Sequence, residues 1–307
     1  RTAGSVQDRP RNFVIIYSGR TGSSPVVNIL ARQPGLCVPV FENLDRRFIG
    51  EARAGEIPAI LDRVLTTGRL EDAELPEHLP RFPTGETPRS IGFKWRPYGD
   101  WAQVCEVFLK RDVTLFVLTR RDFVELASSL YITSYGNALQ SEVKIDKHPQ
   151  FGLVIGERAK VERAAIERLQ TMTFPVRPRL LYRVMRHQAN MGGRLLDLAA
   201  DAHRRGVRVR SLFYEDFTAD NAGFIRGMLG ELGLPTGEVD TTSAFEKVMK
   251  VPAKSRLVHL GRWLLLPPLR LQMLRYGHYR RALEALGRDG GQGRGRRPVV
   301  EPVYLGG

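Results

Sequence analysis

A run of apolar, largely β-branched residues, Phe13-Val14-Ile15-Ile16-Tyr17, breaks into Ser18-Gly19-Arg20-Thr21-Gly22-Ser23-Ser24 and resumes as the helical pattern Val26-Val27-Ile29-Leu30. The run has the character of a buried strand, so the chain must build a sheet around it. The turn adds a second constraint. A helix that starts behind a tight glycine-containing turn aims several backbone N–H groups at one point, and its dipole places a partial positive charge there. Arg20 adds a permanent cation, and Ser23 and Ser24 add hydroxyl donors. Such a turn is a cradle for a phosphate or sulfate. Read alone, it is equally a Gly/Ser turn that merely starts a helix.

The turn is neither of the common nucleotide motifs. A Walker loop needs four residues between its glycines and a lysine after the second, to reach the β- and γ-phosphates. Here Gly19 and Gly22 are separated by Arg20 and Thr21, and Ser23 follows the second glycine. An ordinary ATPase or GTPase is therefore disfavoured. The dinucleotide fingerprint G-x-G-x-x-G is also missing.

The chain of 307 residues carries 47 Lys+Arg against 33 Asp+Glu, a formal net charge of +14. That excess asks for an anionic partner, although surface arginine accounts for part of it. No helix-turn-helix, zinc-finger or RNA-binding signature accompanies the charge, so nucleic acid is not the expected partner. Cys37 and Cys105 are too few for a disulfide framework and lack metal-ligand spacing. A reducing compartment, with the cytoplasm as default, is the expectation. No apolar run reaches the length of a membrane span.

Strand and helix patterns alternate along the chain. Strands are expected at Leu36–Val40, Ile91–Trp95, Val113–Leu118 and Val207–Phe213. Helices are expected within 44–70, over Trp101–Lys110, from the cap Asp122 to about Ile132, over Glu157–Met172, Pro178–Arg204 and Asn221–Leu232. A Pro-rich acidic loop spans 71–88, and Tyr135–Gly156 reads as a polar lid or substrate loop. This alternation predicts an α/β fold: a P-loop-like, doubly wound parallel sheet flanked by helices, with helical insertions and a helical C-terminal segment. One domain over 1–286 is expected, its C-terminal part (about 240–286) helical, followed by a flexible Gly/Arg-rich tail over 287–307. Ligands in such sheets bind at the carboxyl ends of the strands, where the turn lies.

A second anion signal follows Val113–Leu118. Arg120 and Arg121 stand at that strand's carboxyl end, and Ser129 follows Arg121 by eight residues along the helix behind Asp122. Arg121 and Ser129 are placed to hold one phosphate, unless Arg121 pairs with a surface carboxylate instead. A third stretch, Ser211-Leu212-Phe213-Tyr214-Glu215-Asp216-Phe217, closes with Leu232-Gly233-Leu234-Pro235.

Taken in order over residues 12 to 235, these motifs resemble the sulfotransferases that use 3′-phosphoadenosine 5′-phosphosulfate (PAPS). The resemblance implies that Arg20, Thr21, Gly22, Ser23 and Ser24 hold the 5′-phosphosulfate. It places Arg121 and Ser129 on the 3′-phosphate and Tyr214 near the adenine. A late basic loop closes over the 3′-phosphate in the family, a role for Lys254 or Arg256, unless these belong to a solvated basic face with Lys247 and Lys250. The histidine base of the cytosolic members is replaced: Phe93-Lys94-Trp95-Arg96 keeps Lys94 but has Arg96, always protonated, in the histidine's place. The resemblance is closer to the carbohydrate, tyrosyl-protein and bacterial type with a glutamate base, and Phe41-Glu42-Asn43 matches it, 22 residues after Arg20.

The implied reaction moves a sulfuryl group in line from PAPS to a hydroxyl or amine acceptor, releasing adenosine 3′,5′-bisphosphate (PAP). Glu42 is the general base, or else a helix-capping or surface carboxylate. Arg20 receives charge on the leaving phosphate and Lys94 contacts the transition state or acceptor. No metal is expected, since the transferred group carries a single charge. A small molecule, carbohydrate or lipid would serve as acceptor. Alternatives are a P-loop-type small-molecule kinase and a non-enzymatic polyanion- or nucleic-acid-binding module. The segment 257–286 mixes apolar and basic residues, as a C-terminal helix pair or a peripheral contact with an anionic membrane would.

Overall fold

The computed structural model describes residues 10–40, 44, 53–70, 79–140, 173–243 and 253–289, with the backbone alone at 133–140 and 288–289. Its first half contains β1 (Asn12–Tyr17), α1 (Ser23–Leu30), β2 (Leu36–Cys37), α2 (Ile57–Thr67), β3 (Ser90–Trp95), α3 (Trp101–Lys110), β4 (Val113–Thr119) and α4 (Phe123–Gln140). The second half contains β5 (Phe174–Pro175), α5 (Pro178–Arg204), β6 (Arg208–Phe213), α6 (Tyr214–Ala219), α7 (Asn221–Glu231), β7 (Leu257–Val258), α8 (Leu260–Leu264) and α9 (Pro267–Asp289).

The main sheet has five strands in the order β2-β3-β1-β4-β6, every pair parallel. Its two faces follow from the alternation of side chains along a strand. Phe13, Ile15 and Tyr17 of β1 join Phe116 and Leu118 of β4 on one face, covered by α1 and α7. Val14, Ile16, Leu115 and Val117 lie on the other face, packed against residues of α2, α3, α5 and α9. The expected doubly wound α/β architecture is the one found. Gly92 of β3 makes the central pairing possible: a Cβ there would overlap the ring of Phe13 on β1. Asn12 pins the entry to β1, its amide donating to the carbonyls of Leu65 and Arg111 and its oxygen accepting from the Ile91 N–H.

A third apolar cluster joins α4 and α5 to the C-terminal elements. Phe123, Leu126 and Tyr131 meet Met185, Leu260, Leu269 and Tyr276 there. The small ribbon β5–β7 sits beside it, parallel, with Phe174 opposite Leu257.

Several boundaries differ from expectation. β2 stops at Cys37 rather than Val40, because only Leu36 and Cys37 find a ladder partner, on Ser90 and Ile91. α4 continues to Gln140, through positions expected in the polar loop after Tyr135. The two-residue strands β5 and β7 are too short to leave a periodic signal. α9 runs on to Asp289, past the expected start of the tail at Gly287. The helix expected over Glu157–Met172 and the loop 71–78 lie outside the described residues.

Candidate anion-binding site

The chain leaves β1 leftward toward β2 and later crosses to β4 on the right, so the carboxyl ends of β1 and β4 flank the crevice where strand order reverses. Ser18–Gly22 occupies that crevice. The turn is held from within: the Thr21 hydroxyl donates to the Ser18 carbonyl at 2.8 Å. Arg20 adopts φ 71° and Gly22 φ 77°, two left-handed residues that fold the chain back sharply into α1. Gly22 is the N-cap of α1 and has no side chain with which to cap that end, so it leaves the first-turn N–H groups to other partners, a ligand or water among them. Glycine is required here twice over. Its φ disfavours a side chain, and a Cβ would overlap the ring of Tyr214.

Ser24 in the first turn of α1 accepts from Lys94 Nζ at 2.7 Å. Lys94 projects from β3 and is 2% exposed. Its ammonium also stands 5.5 Å from the Tyr17 ring, and the Arg96 guanidinium lies 5.1 Å from that ring. The turn, Lys94 and Arg96 therefore share one wall.

The opposite wall comes from β4, α4 and β6. Arg20 Nε donates to Ser129 Oγ on α4 at 3.2 Å. Burial, and then repulsion from Arg120, lowers the Arg20 pKa. Arg120, the first residue after β4, lays its guanidinium 4.2 Å from the centre of the Tyr214 ring. Its Nε is buried with no hydrogen-bond partner among the described residues, as is the Oγ of Ser128. The register explains the meeting: Thr119 pairs with Phe213 across β4 and β6, so Arg120 and Tyr214 leave the sheet side by side.

Arg121 faces elsewhere. Its guanidinium forms two bonds to Asp216 at 2.5 and 2.8 Å and lies 4.2 Å from the Phe213 ring. The hydrogen bonds to Asp216 raise its pKa. The backbone N–H groups of Arg121 and Asp122 donate to Glu215 at 3.0 and 3.2 Å. Successive residues leaving a strand point opposite ways, so Arg120 enters the crevice and Arg121 the surface. Ser129 accordingly meets Arg20 here, and Arg121 meets a carboxylate.

Asp122 caps α4 through the Glu125 N–H at 2.9 Å. It also binds Lys254 Nζ at 2.6 Å, while Glu125 accepts from the backbone of Ala253 and Lys254. Those bonds dock the turn Ala253–Arg256 onto α4. Arg256 is 3% exposed, 5.1 Å from the Phe174 ring, and burial lowers its pKa. Glu42, Lys247 and Lys250 lie outside the described residues.

The sequence reading gives the phosphate role to Arg121 and Ser129 rather than to Arg120 and Ser128. The latter were recoverable: they stand eight residues apart, as Arg121 and Ser129 do, and only the register of β4 tells the pairs apart. Among the described residues no cluster of His, Cys, Asp or Glu could hold a metal ion, and no helix is long and apolar enough to cross a membrane.

No protein-family profile and no curated protein matches this chain in sequence. Among solved structures, the crystal structure of a sulfotransferase from Alicyclobacillus acidocaldarius aligns with 91% of this chain and 96% of that chain, at 18% identity and a TM-score of 0.44.

Proposed function

We propose that the chain is a PAPS-dependent sulfotransferase whose donor sits in the crevice between β1 and β4. The observation that carries the reading is the pairing of Arg20 with Arg120. Two guanidiniums that repel each other, one with a buried Nε lacking a hydrogen-bond partner among the described residues, stand beside a helix N-terminus whose cap residue, Gly22, has no side chain. Such an arrangement gains stability when an anion arrives. The family resemblance of the ordered motifs supports an adenosine bearing phosphate at both ends as that anion.

In this reading PAPS brings the activated sulfuryl group. Arg20, the α1 N-terminus and the Lys94–Ser24 pair hold the 5′ side, and Arg120 with Ser128 joins Ser129 and Arg121 as candidates for the 3′-phosphate. Tyr214 presents its ring for the adenine, and Lys254 and Arg256 approach from the turn docked on α4. Protein chemistry is then mainly position and charge. The S–O bond to the phosphate breaks as one to the acceptor oxygen or nitrogen forms. Negative charge grows on the departing phosphate, where Arg20 and the helix terminus oppose it. The acceptor's proton passes to Glu42, assigned from sequence alone. The acceptor is a small molecule, carbohydrate or lipid.

Calorimetric titration with adenosine 3′,5′-bisphosphate, beside ATP with Mg²⁺, tests the donor site. Saturable heat with the bisphosphate is expected, and no heat with it would remove the assignment. Preference for ATP with Mg²⁺ would point to a kinase. Glu42→Gln should cost at least ~10²-fold in turnover with bisphosphate binding intact. Turnover near wild type in that variant would take Glu42 out of the mechanism.

A further inference from the structure

Five of the six exposed large hydrophobic side chains among the described residues fall between Val258 and Leu274. Leu265 and Leu274 are each 70% exposed, Leu271 42% and Leu266 40%. Among the described residues, α9 already buries its other face. Leu269, Gln272, Tyr276, Leu283 and Leu286 point inward at helical spacing. The outward face reads Pro267, Leu271, Leu274, His278, Arg281, all exposed. Its first two turns are apolar and its next two polar or basic.

Charge identifies what this face meets. From Ala253 to Leu283 the sequence has seven Lys and Arg and no Asp or Glu, although Lys254 pairs with Asp122, Arg256 is buried and Arg280 meets Glu284, so these three do not charge the face. Arg262, Arg270 and Arg281 are exposed around the leucines. A second copy of the same face would oppose cation to cation across a two-fold axis. Nucleic acid would use the arginines but has no use for projecting leucines, and none of these exposed hydrophobics is aromatic. An apolar patch rimmed by cations matches an anionic lipid surface, where leucines enter the acyl boundary and arginines stay among the headgroups.

We infer that the face formed by the link Leu265–Leu266 after α8 and the first half of α9 docks on anionic membranes, with Leu265, Leu266, Leu271 and Leu274 inserted. This docking is independent of the sulfuryl-transfer reading.

The test is co-sedimentation of the full chain with phosphatidylcholine vesicles, with and without phosphatidylserine. Binding to the anionic vesicles alone, weakening as salt rises, is expected. Leu265→Ser combined with Leu274→Ser should lower partitioning at least ~10-fold, the scale of withdrawing two leucines from an apolar phase. Arg262→Glu with Arg270→Glu should remove the preference for phosphatidylserine. Both variants change exposed positions, and thermal melts matching the parent would certify their folds. No binding to anionic vesicles at low salt overturns the inference, as does binding indifferent to the leucine substitutions. A concentration-dependent dimer abolished by those substitutions, without vesicle binding, would assign the face to a second copy.

Discussion

Arg120 holds its guanidinium against Tyr214 and repels Arg20, with its own Nε buried and without a partner among the described residues. A residue kept at such a cost is expected to recover it on ligand binding. We predict that Arg120→Met leaves thermal stability unchanged or raised while weakening adenosine 3′,5′-bisphosphate binding by at least ~10-fold, the scale of one lost charge-assisted hydrogen bond. Differential scanning calorimetry and titration calorimetry read the two effects separately. A fall in stability with unchanged affinity would make Arg120 a structural residue.

At the scale of elements, the packing of α2 against α3 is fastened by one carboxylate. Asp62 accepts two bonds from Arg111, at 2.7 and 2.9 Å, and one from Lys110 at 3.1 Å. Hydrogen bonding to Arg111, more than to Lys110, lowers its pKa from 3.8 to about 2. A depressed carboxylate contributes stability above its unfolded pKa and loses it as pH falls through the folded value. Between 3.8 and about 2 the pair should therefore loosen. Asp62→Asn is predicted to cost about 1 kcal/mol at neutral pH, a modest figure because solvent reaches the pair. The variant should also lack the parent's loss of stability in that acid window. Urea unfolding at neutral pH and about pH 3 measures both, and identical pH dependence in the two proteins would refute the assignment.

The whole molecule depends on its C-terminal helix. Leu283 and Leu286 of α9 belong to the same cluster as Val113 and Val209 of the sheet. Ser211 of β6 donates to the Leu283 carbonyl at 2.5 Å. Tyr276, 2% exposed, bonds Thr119 Oγ1 at 2.7 Å and the Arg120 carbonyl at 2.8 Å, and its ring stacks on Phe123. The helix thus fixes the strand end that carries Arg120. Truncation before Pro267 should abolish the cooperative thermal transition, read by near-ultraviolet circular dichroism. A transition near that of the parent would show that α9 is an appendage.

The order of strands and helices was legible because burial on both faces of a sheet leaves continuous apolar runs, as in Val113–Leu118, and helices leave 3.6-residue periods. The cradle was legible because positive φ and close approach demand particular residues: Gly22 cannot be replaced without meeting Tyr214. The apolar and basic mixture of 257–286 was visible, but not which leucines face outward. Nor could the sequence tell which of Arg120 and Arg121, chemically identical neighbours with a serine eight residues on, turns into the crevice. That choice belongs to the register of β4 with β6 and to Asp216, which binds Arg121 from another element. Local pattern is set by what each residue can do alone. Orientation at a site depends on partners distant in the chain, and those exist only once it has folded.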